Sequence, residues 1–265
     1  MKLILVLVLV LLTLASPHSL LFAEPVRVLS YNIHAGTGTD GVLDLERIAG
    51  VIKESKAEIV ALQEVDKITK RSGGRDLASE VGELTGMEVV FGASMEYGGG
   101  HYGNAFLIET NAGWKIASSR THTLPAPAGN EPRSVLEIQL TSERAGVPSL
   151  TVFSTHWCHR DEANRLAAAR FVNALVAESN TTTFLIGDLN ATPKSHPLTV
   201  LLEAGWKNPA TAEVPTVPVI SPQRQIDFVL LRSEWEWKAL EVRALDDRPE
   251  ASDHLPLVTV IEFLR

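Results

Sequence analysis

The stretch FLIGDLNATP, residues 184–193, decides how this chain is read. Phe184, Leu185 and Ile186 are apolar and belong in a core. The chain is then expected to turn at Gly187 and to set down Asp188 and Asn190. Two positions apart in an extended chain, Asp188 and Asn190 point to one face, while Leu189 points back into the interior. A carboxylate and an amide thus stand side by side at the mouth of a buried strand. An Asx-turn running into a proline-ended loop is the plainer alternative.

Working outward, seven further apolar runs read as buried strands: 26–32, 58–65, 104–108, 134–140, 150–157, 225–231 and 255–263. They are rich in Val, Ile, Leu and Phe, as burial on both faces requires. Between them, apolar residues at three- and four-residue steps predict helices over 43–55, 76–85, 161–178 and 198–203, with Gly86 just past the end of the second. Pro and Gly cluster at 97–103, 125–133 and 209–222, which predicts long loops. The alternation of strands and helices, with no linker between two cores, predicts one α/β or α+β domain.

Most of these strands carry a polar residue of one kind at a margin: Asn32, Glu64, Asn104, His156, Asp188 with Asn190, Asp227 near a strand start, and Asp253–His254 just before the last strand. A single polar strand end is ordinarily solvated. Seven strands contributing Asn, Glu, Asp or His suggest that one sheet edge gathers them into a cleft. Carboxylates and amide oxygens suit a hard cation such as Mg²⁺, with Mn²⁺ next. No HExxH or CxxC spacing points to zinc. Imidazoles add proton exchange or cationic donors. Together these are parts for metal-assisted hydrolysis of a phosphate ester. Asp253 and His254 are adjacent, so presenting both inward needs a loop or bulge before Leu255.

The chain opens with Lys2 and an unbroken apolar run from Leu3 to Leu12. That is too short to cross a bilayer, which takes roughly 20 residues, and it suits a signal peptide. The expected division is a leader over 1–23 and a catalytic domain over 24–265, cut after Ala23, with a cut after Ala15 or retention as an anchor as alternatives. Secretion or delivery to the periplasm follows, with no stable membrane span and a monomer expected. The one cysteine, Cys158, excludes an internal disulfide, so the core must hold the fold. Formal charge is −8, and −9 without the leader (23 basic against 32 acidic residues). With no basic run, nucleic acid is disfavoured as a partner relative to a small-molecule or lipid phosphate ester.

The motifs SYNIH, LQEVD, YGNAFL, STHW, GDLNATP, QIDFVL and SDHLP occur in that order. They resemble the endonuclease/exonuclease/phosphatase superfamily of deoxyribonuclease-I-like hydrolases, over about residues 26–262. The resemblance implies two mixed β-sheets packed face to face with helices outside, a four-layer sandwich. It implies Glu64 as the principal metal carboxylate, with Asn32 and Asp253 beside the metal. It implies Asp188 as the group that orients the attacking water, Asn190 and His156 at the phosphate, and Asp227 as partner of the catalytic His254. Asn104 and Tyr102 fall in a region that approaches the substrate. Arg71 and Arg133 are candidates for bidentate contact with an anion. After STHW the chain reads Cys158-His159 where many relatives read Asp-His. The function implied is an exported metal-dependent phosphoesterase, most simply a phosphodiesterase. A secreted nuclease, or a binding module that kept the fold without catalysis, are the alternatives.

Overall fold

The computed structural model describes residues 24–264. The leader, its cleavage sites and Arg265 lie outside the described residues. Two β-sheets pack face to face. The first is built from β1 (Val26–Asn32), β2 (Ile59–Lys67), β3 (Glu88–Tyr97), β4 (Gly100–Ile108), β10 (Glu236–Ala244) and β11 (Leu257–Leu264), in the order β10-β11-β1-β2-β4-β3. The second runs in sequence order: β5 (Trp114–Thr123), β6 (Ser134–Ser142), β7 (Leu150–His156), β8 (Thr182–Asp188) and β9 (Asp227–Arg232). Each sheet is mixed: β1–β2 and β7–β8 pair in parallel and their neighbours antiparallel.

The period-two alternation of the strands makes the layers. On β8, Phe184 and Ile186 face Val28, Ile59, Ala61 and Phe106 across the gap between the sheets. Leu185, between them, faces the other way onto Phe153, Ala169, Val172 and Leu201. Two helices, α3 (Glu162–Leu175) and α4 (His196–Glu203), cover that outer side. On the first sheet, Leu29, Leu62 and Leu107 meet Ile48, Ile52, Leu77 and Val81 of α1 (Leu45–Ser55) and α2 (Leu77–Thr85). Three apolar seams therefore separate four layers, as the resemblance implied. Phe184 is fully buried in the central seam, where truncation to Ala costs roughly 3–5 kcal/mol.

Three helices start on an aspartate whose carboxylate accepts a backbone N–H of the first turn: Asp44 from Arg47, Asp76 from Ser79 and Asp161 from Ala163. Each such cap is worth about 1 kcal/mol. Gly86 closes α2 in the left-handed region, as its position predicts.

Four expectations are corrected. The strands β3, β5 and β10 are absent from the sequence reading: β5 and β10 carry no continuous apolar run, and β3 only Val89–Phe91. Residues 97–103 are a tight hairpin that turns at Gly98 and Gly99, not a long loop. Asn104 lies inside β4, not at its start. The chain also does not turn at Gly187, which continues β8. Its φ is +147°, and a Cβ there would stand 1.9 Å from the carbonyl oxygen of Thr155. Glycine is needed because β7 and β8 approach closely just where His156 and Asp188 pair in register.

Candidate active site

One end of the sandwich collects the ends of β1, β7 and β8, the start of β9 and the loop before β11. Asn32, His156, Asp188, Asp227 and His254 come from these elements. Glu64 arrives by a different route. The register of β2 against β4 slips between Leu62 and Val65, and Glu64 sits in that bulge with φ +57°. A bulge re-aims a side chain out of the strict alternation, and here it brings Glu64 to a cavity of about 530 Å³. Glu64, Arg71, Tyr102, Arg133, His156, Asp188, Asn190 and His254 line this cavity, together with Met95, Tyr97, Glu131 and His159.

Asn32 binds two of the carboxylates together. Its Nδ2 donates to Glu64 Oε1 at 3.0 Å and to Asp188 Oδ2 at 3.2 Å. Its Oδ1 accepts the backbone N–H of His34 at 3.1 Å, which fixes the orientation of the amide. Asn32 therefore enters the site as a donor between two acids, and its oxygen is turned away from them, contrary to a place for that oxygen beside a metal. Asp188 Oδ1 accepts the backbone N–H of Asn190 at 2.8 Å, and Asn190 has φ +46°. The Asx-turn is thus present and is how the pair is held: Asn190 leaves the strand direction, donates Nδ2 to the carbonyl of Trp157 at 3.1 Å, and still lines the cavity. Leu189 points into the core as expected.

The two histidines carry different charge. His156 Nδ1 lies 2.9 Å from Arg133 Nη1. A guanidinium only donates, so this nitrogen accepts and the proton sits on Nε2. That Nε2 is 3.4 Å from Asp188 Oδ2. Burial, and then the charge of Arg133, hold the His156 imidazole well below its ordinary range, so it is a neutral donor. For His254, burial alone would lower the pKa. The charge of Asp227 and its hydrogen bond to Nδ1, 2.9 Å, outweigh that, with Asp188 and Asp253 adding, and raise it to about 10. His254 is therefore a cation, with Nε2 3.7 Å from Asp188 Oδ2. Asp227 also accepts from Thr216 Oγ1, so its outward oxygen is doubly engaged. Burial, and then the neighbouring charge of Asp227, raise the Asp188 carboxyl well above the usual carboxylate range.

Asp188, Asp227 and His254 offer ligand atoms within 4.8 Å of one another, a carboxylate and imidazole cluster of a size that could hold a cation. Within it, Asp227 Oδ2 and the cationic His254 are paired, while Asp227 Oδ1 is buried without a hydrogen-bond partner. A further open valence lies beside the cluster. Glu64 is half-buried and faces the cavity, and among the described residues its hydrogen-bond donor is the Asn32 amide. An under-partnered carboxylate beside the buried Asp188 is a hard-oxygen setting that fits a divalent cation.

Not every candidate reaches the cavity. Asp253 is exposed on the loop before β11, beside the site rather than lining it, and that loop is the irregularity needed to present His254. Asn104 is buried, and its Nδ2 donates to the carbonyl of Ser134 at 3.3 Å, while its Oδ1 has no partner. Tyr102 and Arg133 join the site as a pair: Arg133 Nη1 donates to the Tyr102 hydroxyl at 3.1 Å, and both contact His156. Met95, Tyr97, Glu131 and His159 carried no expected role, and His159 stood only as part of a departure from relatives. Three of them lie in the Gly- and Pro-rich segments near 95–103 and 125–133, where loop signal was visible but residue roles were not.

A family model described as the endonuclease/exonuclease/phosphatase family matches residues 29–254. Solved structures agree in fold. An endonuclease/exonuclease/phosphatase from Beutenbergia cavernae superposes with a TM-score of 0.74 at 21% identity, covering 90% of this chain and 72% of that one. A mannosyl-6-phosphatase from Bacteroides thetaiotaomicron gives 0.73 at 16% identity, covering 91% of this chain and all of the other. The human Nocturnin catalytic domain, with a bound sulfate anion, gives 0.67 at 19% identity, covering 91% and 95%.

Proposed function

The chain belongs to the endonuclease/exonuclease/phosphatase family, whose members hydrolyse phosphate esters, and on that premise we propose that it is an exported, monomeric, metal-dependent phosphoesterase acting first on a phosphodiester of a small molecule or lipid. The observation that carries this reading is the arrangement around Asp188. One buried carboxylate is faced by a neutral imidazole N–H, a cationic imidazole and a fixed amide, at the edge of a cavity of ester size.

A divalent cation, magnesium or manganese, would be held chiefly by Glu64, beside the buried Asp188, and would supply charge to a non-bridging phosphate oxygen. Asp188 orients the attacking water and accepts its proton. A carboxyl raised toward neutrality is a stronger base than an ordinary one, and the Asn190 N–H holds one of its oxygens still. Asn32 keeps Glu64 and Asp188 at a fixed separation. His254, kept charged by Asp227, and the Nε2–H of His156 face the position where negative charge grows on phosphorus. Preorganised donors of this kind supply most of the acceleration in phosphoryl transfer. Arg133 fixes the His156 tautomer and adds charge beneath the site.

A phosphomonoester of a sugar is the second reading. It is favoured by Arg133 in the cavity wall beside His156, which matches the extra charge of a dianion. Hydrolysis of bis-p-nitrophenyl phosphate, tested with EDTA and then with Mg²⁺ restored, decides the main claim. The expected result is loss and recovery of activity. Turnover indifferent to the chelator would remove the metal, and a metal-loaded protein inert to every ester would leave only a binding module.

A further inference from the structure

Arg71 lines the same cavity, yet it makes no hydrogen bond to any group given a part in hydrolysis. It is held with unusual care for a loop residue. Its Nε and Nη2 fork onto the two oxygens of Asp66 at 2.6 and 2.8 Å. The Asp66 side chain is fully buried and takes a further donor, Thr69 Oγ1, at 2.6 Å. The guanidinium carbon stands 4.7 Å from the ring centre of Tyr97 and 5.6 Å from that of Tyr102. The backbone N–H of Lys70 donates to the carbonyl of Gly98 at 2.9 Å, which ties the Arg71 loop to the hairpin that carries both tyrosines.

With Nε and Nη2 engaged, Nη1 keeps two N–H groups without a partner among the described residues, on a side chain that is 44% exposed. A carboxylate that needed only a counter-ion would be served by a cation lying against it anywhere. Here the cation is clamped on one edge, stacked on its faces, and open on the remaining edge to the cavity. A guanidinium so fixed loses little entropy on meeting an anionic oxygen and contributes charge-assisted bonds to it. Arg133 stands 5.7 Å from the same Tyr102 ring and is bonded to His156. The two guanidiniums are thus spaced through one tyrosine ring, one at the hydrolytic centre and one at the rim.

We propose that Arg71 binds a second phosphate on the organic half of the substrate, so that the substrate class is a phosphate ester bearing another phosphate across roughly the width of a sugar ring. This rests on the reading of the cavity as a phosphate-ester site and narrows it. Arg71 recognises the group that does not react, and Tyr97, 40% exposed, forms the wall between.

The test compares one ring with one or two phosphates, glucose 6-phosphate and glucose 1,6-bisphosphate, by titration calorimetry on the full chain with EDTA present to prevent turnover. Wild type is expected to bind the bisphosphate about tenfold more tightly or better. Arg71→Met should bring that preference below about threefold, and Arg71→Lys should retain part of it. Because Arg71→Met leaves Asp66 buried and unpaired, the double variant Asp66→Asn/Arg71→Met is measured too and should behave the same way. A wild type without preference, or variants that weaken both sugars equally, would overturn the proposal. Should the preference hold and vanish with Arg71 while no ester is hydrolysed, the second phosphate site stands and the hydrolytic reading falls. Hydrolysis without the preference removes this proposal alone.

Discussion

Strand β2 runs between two carboxylates at opposite ends of the sandwich, and they are treated in opposite ways. Glu58, just before the strand, accepts the Arg27 backbone N–H and the Arg144 guanidinium, and Arg144 is itself anchored on the carbonyls of Glu24 and Pro25 and over the Trp114 ring. Burial raises the Glu58 carboxyl above its ordinary range even though Arg144 and the Arg27 N–H pull against it. Glu64, near the other end, has the Asn32 amide as its donor and looks across it at Asp188. A carboxylate saturated with donors holds a fold. One left short of donors among other acids is available to something from outside.

The largest effect should come from His254. Replacing it with Ala removes the cation facing Asp188, and kcat on bis-p-nitrophenyl phosphate should fall by about a thousandfold or more. A loss under about tenfold, 1.4 kcal/mol, would take His254 out of the centre of the mechanism. Next is Glu64→Gly. Glycine relieves the positive φ, yet kcat/KM at fixed Mg²⁺ should drop by about a hundredfold or more; a variant as active as wild type would show that the bulge, not the carboxylate, is what matters there. At the opposite end, Arg144→Met should lower unfolding free energy in urea by about 2 kcal/mol, by leaving Glu58 short of its partner, with kcat unchanged. A fall in kcat to match would erase the contrast between the two ends.

Stability against pH sharpens the contrast further. The His254 pKa is raised from 6.5 to about 10 in the folded protein. A raised pKa means that the folded state holds the proton more tightly, so the stabilisation is complete below about 6.5 and is lost as pH climbs through 10. In EDTA, the stability difference between wild type and His254→Gln should therefore shrink between those values. A difference that grows with pH would mean a neutral His254. The smallest effect pairs two strained residues: Lys56, at φ +54° beyond α1, and Glu64 at +57°. Lys56→Gly should gain about 0.5–1 kcal/mol at no cost in activity, unlike Glu64→Gly.

The strands that escaped sequence reading are edges. β3 and β10 flank the first sheet and β5 the second, and their side chains are mostly half-buried or exposed. Hydrophobic runs register burial, and an edge strand has little of it. β9 is also an edge, but Phe228 to Leu231 are buried and it was legible. The same limit applies at the site. Residue types at strand ends showed which groups could gather, and the four-layer fold brings Glu64, His156, Asp188 and His254 to one cavity. What spacing could not carry was backbone conformation: the bulge under Glu64, the left-handed Asn190, and the glycine at 187 that lets β7 and β8 touch. Nor could composition separate Arg71, clamped by a buried acid five residues earlier, from an ordinary loop arginine.

Thermal unfolding of wild type and Glu64→Gln across a Mg²⁺ titration tests the central claim most directly. A ligand that binds the folded state alone stabilises it by about 2.7 kcal/mol at a hundred times its Kd. Wild type should melt progressively higher as Mg²⁺ increases, and Glu64→Gln should stay where it began over the same range. Equal rises in both proteins, or no rise in either, would contradict a cation held by Glu64 at this end of the sandwich.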